Sequence, residues 1–297
     1  MAIRKINYDA MAEEMKNLGQ KAPTKTYEKK VDEHLYIPKL KDGMATVLLR
    51  FLPPPENDIP LLIAEEHRHA VKREDGKWLI CRCPKTVSKT AKCPICEEGT
   101  SQWNAGNKNL AKELFKKTKY FVNVLVINDI NNPENNGKIF VMRIGKKLLG
   151  KINAKMYPSE TDISLGDEAV NVFDYENGMN FKLVIKEIEM KNEKTGKNET
   201  TINYDSSEWS KTTTRIGSDP KKPFSDKEIE EFVEKNLIPL KSYVEAEQGT
   251  TYESLKKRVD WFFGRNSSGP VVDQTEKVEE DDSASTEDFI KNMLGQN

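Results

Sequence analysis

Residues 120–156 read "YFVNVLVINDINNPENNGKIFVMRIGKKLLGKINAKM". The opening "YFVNVLVIND" is the strongest strand signal in the chain, rich in β-branched and aromatic side chains. "INNPENNGK" then reads as a turn-rich loop and "IFVMRIG" as the partner strand. "GKKLLGKINAKM" closes the block as a helix. Upstream, "ATVLLRFLPP" predicts a strand stopped by Pro, and "LLIAEEHRHAV" a second one. Downstream, "VNVFDYENGMNFKLVIKEIEM" predicts a strand, an Asn177-Gly178 turn and another strand. "EMKNEKTGKNETTINY" reads as a hairpin extension with Thr195-Gly196 near its tip. Helices are fewer. "KELF" belongs to a short one, Ser225 with Glu228 forms a capping box before "KEIEEFVEKNL", and "TYESLKKRVDWFF" is the last. The fold class expected is mainly β with α additions, a barrel-like body of about five strands that fits an OB-type fold.

A second stretch, "HRHAVKREDGKWLICRCPKTVSKTAKCPIC" at residues 67–96, holds all four cysteines and two of the three histidines. The chain has no apolar signal-peptide core at its start and no run of the roughly eighteen apolar residues a membrane helix needs. It therefore reads as a soluble cytoplasmic protein, where thiols stay reduced and closely spaced Cys pairs bind metal. Cys93 and Cys96 sit on one knuckle and can reach a single zinc ion. The other ligands must come from His67, His69, Cys81 and Cys83, carried on a hairpin turning at Asp75-Gly76. Side chains alternate along a strand, so the two His share a face, as do the two Cys. Spacing does not choose within either pair. A redox CxxC or plain buried thiols would explain the cysteines but not the histidines beside them.

Charge divides the chain. Net charge is −1, yet residues 271–297 carry eight acids and two lysines, a net of −6, which leaves +5 for residues 1–270. A basic body with an acidic tail marks nucleic-acid-binding proteins. The tail composition predicts disorder. Phe289, Ile290, Met293 and Leu294 recur at helical spacing near its end, as in a segment that folds on a partner. At the other end Arg4 and Lys5 precede an amphipathic segment with Met11, Met15 and Leu18 on one face. No phosphate-cradling loop, nucleophile elbow or H-E-x-x-H motif is present. A zinc deaminase would need a Glu beside a ligand His, which neither His67 nor His69 offers.

Aromatics interleave with cations in "KKTKYF" (Lys116, Lys117, Lys119, Tyr120, Phe121), "MRIGKK" (Arg143, Lys146, Lys147) and "INYDSSEWSKTTTR" (Tyr204, Trp209, Lys211, Arg215). Single-strand binders use this combination, cations tracking phosphates and rings stacking bases. Tyr120 is expected to face outward with its lysines, its neighbour Phe121 inward.

The 120–156 block resembles the corresponding block of the gene 32 single-stranded DNA-binding protein family of T-even bacteriophages. "TVLLRFLPP" and "GKWLICRCPKTVSKTAKCPIC" resemble its flanking blocks in the same order, over roughly residues 40–186. The resemblance implies one Zn2+ per chain on His69, Cys83, Cys93 and Cys96, with His67 an alternative because the turn holds one extra residue. It implies DNA contacts from Arg50, Lys116, Lys117, Tyr120, Phe121, Arg143 and Tyr204. It also implies three parts: a cooperativity arm at 1–22 using Arg4 and Lys5, an OB-fold core at 23–265 with a zinc subdomain at 67–98, and a disordered acidic tail at 266–297 for protein interactions. The implied function is cooperative, sequence-non-specific coating of single-stranded DNA in phage replication, recombination and repair. Its partners would be single-stranded DNA, head-to-tail copies of itself, and replication and recombination proteins at the tail, in the cytoplasm of an infected bacterium. An RNA-binding translational regulator using the same groove is the alternative.

Overall fold

The computed structural model describes residues 32–265 apart from 74, 192–197, 220 and 248. The arm with Arg4 and Lys5, the tail with Phe289, Ile290, Met293 and Leu294, and the Thr195-Gly196 tip lie outside the described residues.

The described chain is mainly β. Its strands are β1 Leu35–Tyr36, β2 Met44–Leu52, β3 Ala64–Lys72, β4 Trp78–Arg82, β5 Lys117–Asp129, β6 Ile139–Ile144, β7 Asn180–Lys191, β8 Asn198–Asn203, β9 Glu208–Trp209, β10 Gly217–Asp219 and β11 Lys222–Pro223. The helices are α1 Pro94–Asn104, α2 Lys108–Leu114, α3 Lys146–Met156, α4 Glu160–Ser164, α5 Asp226–Glu228 and α6 Tyr252–Phe262, with a π-helical stretch Ile229–Glu234 continuing α5. The first nine strands form one sheet, and β10 pairs with β11 apart from it.

β5 organises the sheet. One edge pairs with β6, from Tyr120↔Ile144 to Leu125↔Ile139. The other edge is shared: β3 takes its first half, Ala64↔Phe121 to Arg68↔Lys117, and β2 its second, Leu52↔Asn123 to Val47↔Asp129. Both faces are covered, which explains the nearly unbroken apolar run. Val122, Val124 and Val126 enter the main core with Phe51, Ile144, Phe173 and Phe181. On the opposite face Leu125 and Ile127 join Leu52, Ile216 and Val233, while Phe121 joins Ala64, Val141 and Leu240. That split is the two-residue period of a strand. The buried Asn123 clamps a loop across this face, its amide donating to Ile238 O (2.9 Å) and accepting from Ile238 N (3.2 Å).

The block before Asn177-Gly178 differs from expectation. Residues 172–177 form turns, not a strand. Asp174 Oδ1 accepts from the backbone N–H of Glu176 (2.7 Å) and Asn177 (2.8 Å), a local alternative to sheet pairing. Val172 and Phe173 are instead buried as a plug in the main core. The capping box at Ser225 is formed, with Glu228 Oε2 accepting from Ser225 N at 2.8 Å.

Candidate nucleic-acid interface and metal centre

The β3–β4 hairpin sets His69 opposite Cys81, and Cys83 follows as the strand ends, its N–H donating to His67 O at 2.7 Å. The knuckle approaches from another element. Cys93 is the N-cap of α1, Pro94 occupies its first turn, and Cys96 lies in the same turn. His69 Nε2 lies 3.4 Å from Cys93 Sγ and 3.6 Å from Cys96 Sγ, and Cys83 Sγ lies 3.7 Å from Cys96 Sγ. A tetrahedral zinc at ordinary bond lengths separates its ligands by about 3.8 Å (S to S) and about 3.6 Å (S to N). All four ligand atoms fall within 4.8 Å of one another, so His69, Cys83, Cys93 and Cys96 can hold one metal ion.

The surroundings fix the imidazole. Leu114 O lies 2.8 Å from His69 Nδ1 and can only accept, so Nδ1 carries the proton and Nε2 is left as the donor atom. Burial works against a charged His69, but the Cys83 and Cys93 sulfurs outweigh it and lift the group to about 9. The two alternatives fall elsewhere. Cys81 is buried in the apolar cluster with Val71, Leu79 and Ile95, outside the group of four. His67 turns its Nδ1 to Thr118 Oγ1 at 3.1 Å, and burial holds its pKa below the usual value.

The sheet register gathers cations. Lys117 and Lys119 share one face of β5 with Phe121, and Phe121 sits opposite Arg143 of β6. Burial drives the Lys119 pKa down to about 8, Arg143 and Lys117 push it further the same way, and Glu66 resists. Glu66 faces Lys119 across the strands and accepts from Arg68 and Arg82. Lys117 Nζ donates to Lys112 O at 3.4 Å, over the end of α2. Lys116 is half-buried just before β5. Lys146 and Lys147 are exposed in the first turn of α3, where unbonded backbone N–H groups also favour an anion.

Other candidates lie differently. Tyr120 is part-exposed at the rim of the main core, but strand alternation puts it on the face opposite Lys117 and Lys119. Tyr204 is part-buried against the same core. Phe121 is buried and stacks on Tyr243, centroids 4.5 Å apart, so its ring has no face for a base. Arg50 is fully buried and donates to Asp174 O (2.7 Å), Thr214 O (2.8 Å) and Asn180 Oδ1 (3.2 Å). A guanidinium held this way is a structural clamp, so Arg50 and Phe121 leave the set of contacts. In the "INYDSSEWSKTTTR" stretch, Trp209 packs on Phe51 and Phe181, and Arg215 is paired with Glu176 and Asp226. Sequence reading placed Lys119 among the cations of "KKTKYF", but the contacts implied by the resemblance did not include it. The Leu114 carbonyl could not be read at all, since any residue supplies one.

Fold and site together define a class: a mainly β protein with cations gathered at β5, β6 and the start of α3, and a Cys/His group able to hold a metal ion. Within that class, the chain belongs to the gp32-like DNA-binding protein family, whose profile, "gp32 DNA binding protein like", matches residues 41–263. It is 35% identical over 148 residues to the single-stranded DNA-binding protein of Enterobacteria phage T4, and equally to that of Enterobacteria phage T2. Each match covers 49% of this chain and 47% of the relative, so the chain spans about half the length of the relatives it matches. Among the described residues, no helix is long and apolar enough to cross a membrane.

Proposed function

We propose that the protein binds single-stranded DNA without sequence preference, as a coating protein and not an enzyme. The observation that carries this reading is the cationic run from Lys116 through Lys119 to Arg143, Lys146 and Lys147 in a member of a DNA-binding family. The relatives' printed description, single-stranded DNA-binding protein, supports the same substrate. Phosphates would follow the cations, with part-exposed Tyr120 stacking a base on the main-core face of β5, the side on which α3 packs with Lys146 and Lys147 in its first turn. One zinc ion per chain would hold the β3–β4 hairpin to α1, since the group of four has tetrahedral spacing and zinc's preferred donors. The sheet sharing β5 among β2, β3 and β6 is read as an OB-type core within 23–265.

The remaining parts follow the family plan and the charge asymmetry. Residues 1–22, with Arg4 and Lys5, would dock on a neighbouring copy along the strand. Residues 266–297 would recruit replication and recombination proteins through Phe289, Ile290, Met293 and Leu294. Preferential binding to unpaired strands would melt hairpins by mass action in the cytoplasm of an infected host. Competition among poly(dT), poly(U) and duplex DNA tests the reading. Poly(dT) should displace both others. A preference for poly(U) would point to an RNA-binding regulator, and a preference for duplex would refute single-strand binding.

A further inference from the structure

Helix α6 comes at the far end of the described chain, yet it forms a wall of the metal group's surroundings. Leu255, Val259 and Phe262 recur on one helical face and are buried. The cluster they enter holds Leu79, Cys81 and Ile95, together with the ligand residues Cys83 and Cys93. Residues 64–114, from β3 to the end of α2, are few enough that a core of their own would be marginal. The apolar face of α6 closes that core from outside the stretch that carries the ligands.

Polar contacts fix where α6 sits. Arg258 donates to Ile80 O at 2.6 Å, on the strand residue before Cys81. Arg73, just past β3, donates to Trp261 O and Phe262 O at 3.2 Å each, at the end of the helix. Two further contacts reach the knuckle. Glu97 and Glu98 directly follow Cys96 in α1. Tyr252, the first residue of α6, donates to Glu97 Oε2 at 2.7 Å. Arg265, just past the helix end, donates to both Glu98 oxygens at 2.7 and 2.8 Å, and the Glu98 side chain is only 10% exposed. The two ends of α6 therefore hold the turn that carries Cys96. Three thiolates outweigh a divalent cation, so carboxylates beside Cys96 are better paired than bare.

We propose that docking of α6 and metal binding at the Cys/His group are one coupled equilibrium, with Tyr252 and Arg265 as positioning residues for the Cys96 turn. This rests on the zinc reading above and extends the metal subdomain to a helix that ligand spacing did not indicate. Linkage makes the effect reciprocal: the factor by which α6 docking raises metal affinity is the factor by which metal favours docking. Arg265 is also the residue before the acidic segment 266–297, so the coupling joins the metal group to the root of that segment.

The test uses the full-length, zinc-loaded chain and reads zinc release into a chromogenic chelator. Arg265→Ala should speed release about five-fold, and Tyr252→Phe about three-fold, the scale of part-exposed charged contacts. Glu98→Ala should match Arg265→Ala, and the double variant should release no faster than either single one, because both remove the same contact. Arg265→Lys should fall between Arg265→Ala and wild type. The metal-free forms of wild type and Arg265→Ala should melt alike, and a lower melting point in the metal-free variant would make Arg265 a general structural residue and overturn its positioning role. Hydrogen exchange on the wild type reads the reverse direction. Chelation should expose the amides of α6 along with those of β4, while β2 and β5 keep their protection. Unchanged release from Arg265→Ala and Tyr252→Phe, or additive effects of Arg265→Ala and Glu98→Ala, would overturn the positioning role. An α6 that stays protected without metal, or a loss of protection shared equally by β2 and β5, would overturn the coupling. A chain that takes up no zinc overturns both the coupling and the zinc reading beneath it.

Discussion

Replacing Arg50 with Met separates two roles that the residue type alone cannot distinguish. The aliphatic stem is roughly preserved, so the change removes the guanidinium and little else. Three acceptors lose their donor: Asn180 Oδ1, which is buried, and Asp174 O and Thr214 O, which are part-buried. Each unmade hydrogen bond at a buried group costs about 1–3 kcal/mol. Against that stands relief of a buried charge. Burial has already lowered the Arg50 pKa to about 10 against the pull of Asp174, and its Nε makes no hydrogen bond. Relief of the desolvated charge offsets part of that loss, because only neutral acceptors are left behind, and the net destabilisation is about 1–3 kcal/mol. Urea denaturation, fitted with an unchanged m-value, should report that loss. Oligo(dT) binding by the fraction that remains folded should keep its wild-type salt slope, since no phosphate contact is lost. Unchanged stability with a slope shallower by roughly 0.7 would show Arg50 on a phosphate and refute the clamp. Gly178→Ala probes the same clamp, because an added Cβ would sit 2.4 Å from Asp174 O and 2.5 Å from Arg50 Nη2.

Three further outcomes are expected. Metal analysis should find one zinc per chain, kept by Cys81→Ser and His67→Ala and lost by Cys83→Ser, with chelation lowering the melting temperature; zinc loss from Cys81→Ser alone would reassign the ligand. Lys119, held near 8 among Arg143, Lys117 and Glu66, sheds its charge as pH rises through that value, so oligo(dT) affinity should fall by up to about ten-fold between pH 7 and 9. Lys119→Arg should flatten that profile, and a profile unchanged by the substitution would remove Lys119 from the interface. Deleting residues 271–297, a net of −6, should tighten DNA binding most at low salt, and weaker binding after truncation would show that the tail is no competitor for the cationic face.

Elements with a strong period were legible in the sequence, and elements made by side-chain bonding were not. β5 and β6 follow from β-branched runs bounded by Asn, Pro and Gly, and α6 from its amphipathic spacing. Residues 172–177 carry the same apolar look, but an Asp at 174 folds them into turns. Helix α1 was hidden inside a metal knuckle, although Pro94 directly after an N-cap position is a helix-start signal. For the metal group, alternation narrowed the choice to pairs. The resemblance favoured His69 and Cys83, and the approach of α1 gathers those two with the knuckle while Cys81 packs in apolar surroundings. For the interface, periodicity marks which residues share a face but not what covers that face. Phe121 lies under Tyr243, more than a hundred positions later, and Arg50 lies beneath loops at 174 and 214.

The central claim is that the cations around β5, β6 and the start of α3 hold the phosphates of an unpaired strand. Its most direct measurement is the affinity of the full-length protein for oligo(dT) and for duplex of equal length across a range of salt. Contacts from Lys116, Lys117, Lys119, Arg143, Lys146 and Lys147 at roughly 0.7 each give a slope of about −4.2 in log K against log salt for oligo(dT) at pH 7. Lys116→Ala with Lys117→Ala should make that slope shallower by about 1.4, with duplex binding weaker at every salt concentration. Binding to oligo(dT) that is insensitive to salt, or weaker than binding to duplex, would contradict the account.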